Sequence, residues 1–113
     1  MKALALVSCV CALLLYPALA RAEEDISGVV RTKCQTCHGA DGKANTEVGK
    51  EHNMNDLSNP RWHSAHTDDD IRDAITHGIP KTKMKGYKKK LTPAQIEALV
   101  KWVRGLSQPR KAE

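Results

Sequence analysis

A chain of 113 residues with a formal charge of +5 and no phenylalanine has room for one domain with a modest core of its own. Its basicity is mild, and Tyr87 is the only aromatic in the lysine-rich run over residues 81–90. A nucleic-acid surface is therefore not expected.

The first segment is built unlike the rest. Lys2 precedes an apolar run from Ala3 to Ala20, broken by Pro17, and Ala20-Arg21-Ala22 fits a small-x-small cleavage site. Residues 1–22 are therefore expected to be a secretory signal peptide, residues 23–113 the mature domain, and the location the periplasm. Cleavage would remove Cys9 and Cys11, two of the four cysteines, and leave no stable membrane insertion. Acidic Glu23, Glu24 and Asp25 then open a short helix over 23–33 carrying Ile26, Val29 and Val30 at helical spacing.

That helix leads into Cys34-Gln35-Thr36-Cys37-His38. Two thiols three positions apart lie on neighbouring faces of one helical turn, so both sulfurs can reach the two vinyl groups of one porphyrin. The histidine after them falls beneath the iron, and this spacing is that of covalent haem c attachment. A thioredoxin-like dithiol needs a flanking βαβ pattern, which is missing, and a zinc site needs two more ligands at matched spacing. A haem would also add apolar mass to a small core and cross-link distant segments.

From Gly39 to Pro60 the composition turns to Gly, Asn, Asp and Lys without an apolar period, which predicts a long loop around one haem edge. Thr67 followed by Asp68, Asp69 and Asp70 predicts a helix start, with Ile71, Ala74 and Ile75 on one face and Gly78 as its stop. A second loop runs from Ile79 to Lys90. Thr92-Pro93-Ala94-Gln95 predicts the last helix, with an apolar stripe of Ile96, Leu99, Val100, Val103 and Leu106. The tail from Ser107 is expected to fray.

Six side chains are candidates for a second iron ligand opposite His38: Met54, Met84, His52, His63, His66 and His77. Met84, in the loop between two helices and bracketed by Pro80, Gly86 and Tyr87, is the choice that position favours. Met54 reads as packing. His63 and His66 read as solvated surface residues, and His77 as favourable charge at a helix C-terminus. Imidazole on one side and thioether on the other raises the reduction potential relative to two imidazoles. With both positions filled, the iron changes oxidation state with little rearrangement.

These residues together resemble a class I c-type cytochrome. The matching pieces are Cys34–Gly39, Asp70–Gly78, Met84 and Leu91–Arg104, which cover nearly all of the mature chain. The resemblance implies an all-α fold of three to four helices around one covalent haem, with N- and C-terminal helices crossing near it. It puts Trp102 at that crossing and Trp62 near the haem propionates. Val30 stands where the family has an aromatic, and no proline occurs between Gly39 and Asn59 to position an acceptor for the His38 ring N–H.

The expected function is single-electron transfer between larger redox proteins by an exported, non-enzymatic monomer, with Cys34, Cys37, His38 and Met84 binding the cofactor and His38 and Met84 ligating iron. Lys81, Lys83, Lys85, Lys88, Lys89 and Lys90 crowd the Met84 loop and would steer it toward acidic partners. The alternatives are a haem sensor or peroxidase-like enzyme with a labile distal ligand, and a haem subunit of a larger redox complex.

Overall fold

Thr92 begins the longest helix among the described residues because its hydroxyl accepts from the Gln95 N–H at 3.1 Å while the Gln95 side chain accepts from the Thr92 N–H at 2.9 Å. This reciprocal cap satisfies two backbone donors that the first helical turn would leave free. The computed structural model describes residues 24–108; the predicted leader and the cysteines within it lie outside the described residues, as does the end of the tail. In chain order the elements are α1 (Ser27–Val29), a π-helical turn (Val30–Cys34), α2 (Gln35–His38), α3 (Glu47–Glu51), α4 (Pro60–Ala65), α5 (Asp68–His77) and α6 (Pro93–Gly105).

The described residues form helices and loops, with one isolated antiparallel bridge between Gly78 and Lys85. The all-α expectation holds. Helix α5 starts as α6 does: the Asp70 N–H donates to the Thr67 hydroxyl at 3.1 Å, and the Asp70 carboxylate accepts from the Thr67 N–H at 2.7 Å. Ile71 and Ile75 of α5 are buried, as are Ile96, Leu99, Val100 and Val103 of α6. Val30, Leu57 and Leu91 complete the core. Arg72 spans the outside of the α5–α6 pair, bonded to both Asp69 and Glu97.

The long 39–60 loop is a correction. Within it Thr46 caps the short helix α3 by accepting from the Gly49 N–H at 2.9 Å, and Leu57 turns into the core. Asn59 caps α4 in the same way through the Arg61 N–H at 2.9 Å, with Pro60 in the first helical turn. That Asn-Pro start is a legible signal. The first helix is also not uniform, since its middle is wound as a π-turn ending at Cys34. At the other end the Ser107 hydroxyl donates to the Arg104 carbonyl at 3.0 Å, and most of the tail expected to fray lies outside the described residues.

Hydrogen bonds hold the Asp70, Asp25 and Asp56 carboxyls below the ordinary carboxylate range, those of Asp70 coming from Thr67. Arg72 does the same for Glu97. A depressed folded-state pKa means stability that is present above the unfolded carboxylate value, about 4, and lost as pH falls through the lower folded value. The Asp70→Asn variant is therefore expected to show a shallower loss of stability on acidification below about pH 4. Denaturant titrations of the full protein across that range check it.

Candidate functional site

The stretch from Lys33 to His38 is gripped from two directions. The Thr46 hydroxyl donates to the Cys37 carbonyl at 2.7 Å, and the Ala44 N–H donates to the His38 carbonyl at 2.8 Å. Carbonyls in the last turn of a helix have no partner within it, so the returning chain supplies one. From the second loop the Tyr87 hydroxyl donates to the Lys33 carbonyl at 3.3 Å, and the Lys33 ammonium lies 5.9 Å from the centre of the Tyr87 ring.

Cys34 and Cys37 are free thiols, both half-buried. Burial pushes the Cys34 thiol above its ordinary pKa. His38 is half-buried, and burial lowers its pKa, which favours the neutral imidazole. Its Nδ1 is buried without a hydrogen-bond partner among the described residues. An unpaired buried nitrogen of this kind costs about 1–3 kcal/mol unless something engages the ring. The acceptor for the His38 ring N–H, unnamed by the sequence, is thus also absent among the described protein groups.

Met84 is half-buried and packs against the core, as do Cys34, Tyr87, Trp62 and Trp102. Tyr87, three residues after Met84, has its hydroxyl pKa raised by burial and by the nearby Cys34 and Cys37. The structure therefore brings the Met84 loop to the cysteine-bearing helix. The other candidates sit elsewhere. Met54 lines a surface hollow with Lys43, Ala44 and Gly49, and His52 and His77 are exposed. His77 lies 3.8 Å from Asp73, one turn before it on α5.

His63 and His66 are corrected. Neither is a free surface residue: both are half-buried, and their rings are bonded to backbone. His63 Nε2 donates to the Leu57 carbonyl at 2.6 Å, and its Nδ1 accepts from Arg104 at 3.1 Å. Arg104 also donates to the His63 and His66 carbonyls at 3.1 and 2.7 Å and to Asp68 at 2.6 Å, so one guanidinium closes the end of α4. Trp62 stacks on His66 at 4.4 Å and meets His63 edge-on at 5.1 Å. Arg104 is the residue that sequence reasoning missed, because its partners lie up to 41 positions away.

Residues 21–103 match the family model described as cytochrome c oxidase, cbb3-type, subunit III. The chain belongs to this family of c-type cytochromes. Among solved structures, the KustC0563 c-type cytochrome is 33% identical, with a TM-score of 0.65 over 72% of this chain and 95% of its own. A tyrosine-to-phenylalanine mutant of that protein matches at 34% identity and a TM-score of 0.63, over 70% of this chain and 94% of its own. Dihydro-heme d1 dehydrogenase NirN in complex with DHE is 31% identical with a TM-score of 0.56, over 76% of this chain but 16% of that one. A comparison with curated proteins finds no match.

As a c-type cytochrome the protein binds haem c, with its iron, covalently, and takes part in electron transfer. Its own residues fit that group. Two unpaired thiols on one helical stretch and, directly after them, a half-buried imidazole whose ring makes no hydrogen bond among the described residues are the donor set such a cofactor requires. No helix among the described residues is long and apolar enough to cross a membrane.

Thr46 is the joint between this cytochrome's returning loop and its cysteine helix, since one hydroxyl both donates to Cys37 and caps α3. Thr46→Val is expected to cost about 1–2 kcal/mol. Thr46→Ser should recover most of it. Denaturant unfolding of the haem-loaded protein, followed in the Soret region, measures both.

Proposed function

We propose that this protein is an exported single-electron carrier that works between larger redox proteins without itself catalysing a reaction. Bound haem c supplies a one-electron ferric/ferrous couple. In this reading Cys34 and Cys37 would anchor the cofactor through thioethers, and His38 and Met84 would ligate its iron. The observation that carries the assignment of Met84 is the bond from Tyr87 to the Lys33 carbonyl, which fastens the methionine loop to the cysteine helix.

Two ligands from the chain leave no open coordination position for substrate, which favours outer-sphere transfer over catalysis. The size of the domain supports a free-standing carrier, because the KustC0563 cytochrome is matched over 95% of its length. In NirN the likeness covers only 16% of a longer chain.

Lys81, Lys83, Lys85, Lys88, Lys89 and Lys90 are all exposed around Met84. Charge at that place steers carboxylate-rich partners to the site and raises the rate of encounter.

Met84→Ala is expected to abolish the near-infrared sulfur-to-iron band of the ferric protein and let the ferrous protein bind carbon monoxide. A wild-type protein that binds carbon monoxide readily at neutral pH would return the sensor reading instead. Replacing Lys81, Lys83 and Lys85 by Gln should slow electron exchange with an acidic redox partner about tenfold at low salt and flatten its salt dependence. Stopped-flow rates across a salt series provide the measurement.

A further inference from the structure

Segment 79–86 is a small closed loop, tied by backbone bonds and by one hydroxyl. The Met84 N–H donates to the Thr82 Oγ1 at 3.1 Å, and that hydroxyl donates to the Ile79 carbonyl at 2.8 Å. The Thr82 N–H reaches the same carbonyl at 3.2 Å, and the Ile79 N–H returns to the Met84 carbonyl at 3.0 Å. Both backbone polar groups of Met84 are thereby fixed. Among the described residues no other side chain in 79–86 makes a hydrogen bond.

The base of the loop is rigid. Gly78 and Lys85 pair across it, and a Cβ on Gly78 would stand 2.6 Å from the Met84 carbonyl oxygen. A Cβ on Gly86 would meet the Thr76 carbonyl oxygen at 2.6 Å, so the two strands of the loop approach as only glycine allows. Beyond it, the Tyr87 and Lys88 N–H groups donate to the Ile75 and Thr76 carbonyls at 2.9 and 3.0 Å. The crown differs: Lys81 holds a φ of +63°, a left-handed conformation that disfavours a residue with a side chain. A strained residue persists only where its surroundings over-determine it. Here the surroundings at the crown are the bonds of Thr82.

We propose that Thr82 is the positioning residue for Met84: its hydroxyl holds the methionine backbone in a preformed loop, so that the thioether stays in place against competing ligands. The proposal rests on Met84 as the distal ligand. Thr82 is exposed and contributes nothing to the core, so its role lies in the loop alone. A valine keeps the shape and removes both hydroxyl bonds, leaving Lys81 free to relax and Met84 free to withdraw. A serine keeps both bonds.

The test compares haem-loaded Thr82→Val and Thr82→Ser with the wild type by the near-infrared sulfur-to-iron band and by carbon monoxide uptake of the ferrous protein. Thr82→Val is expected to weaken the band and raise uptake about fivefold, the equivalent of losing the one bond to the Met84 N–H, with Thr82→Ser restoring both. Leu99→Ala, which opens the core at a residue 2% exposed, serves as the control: it should lower thermal stability and leave the band intact. Wild-type band and uptake in Thr82→Val, with the band lost in Met84→Ala, overturn the positioning role and leave the ligand assignment standing. A band retained in Met84→Ala overturns the ligand assignment and the positioning role with it.

Discussion

Three carbonyls of one helical stretch organise this molecule. Those of Lys33, Cys37 and His38 accept from Tyr87, Thr46 and Ala44, which belong to two separate loops further along the chain. A helix end leaves acceptors that must be satisfied, and here the satisfaction is long-range, so the segment that bears the cysteines also sets where both loops lie. The coupling is structural as well as chemical: loosening either loop changes the setting of the residues proposed to hold the cofactor.

The core explains why such ties matter. It consists of Val, Leu and Ile side chains from α5, α6 and their flanks, with tryptophan and tyrosine only at its margin. Nine buried aliphatics supply limited apolar burial for a domain of this size. Hydrophobic packing therefore fixes the α5–α6 pair, while the rest of the described chain is fixed by caps, helix-end carbonyls and the fork of Arg104. A covalently bound haem adds apolar area and ties between segments, the two things this core has least of.

The same logic separates the two loops. The 39–60 segment is held by the Thr46 hydroxyl, the Ala44 N–H and Leu57, and it carries the short capped helix α3 and the cap of α4, so it serves as a floor for the cysteine helix. The 79–86 segment has a rigid base and a strained crown. Rigid positioning combined with a single polar peg suits the role proposed for Met84, a ligand that would have to remain attached through both oxidation states. The six lysines project from and beside this loop rather than from the floor.

Much is legible in the sequence because it is written in local rules. The cysteine spacing, the Thr67 and Thr92 caps, the α6 stripe and the stop at Gly78 all follow from contacts within a few residues, and the structure carries each of them. The Asn59-Pro60 start is equally local, but it sits at the end of a segment whose composition suggests a loop. Other features have no local signature. That His63 and His66 are bonded, that Arg104 closes α4, that the chain after Val29 winds as a π-turn, and that Tyr87 reaches Lys33 depend on partners brought together only by packing. Sequence determines which turns and caps can form over short distances; tertiary structure decides which distant carbonyl each leftover donor finds, because that choice is made only when the helices have already met.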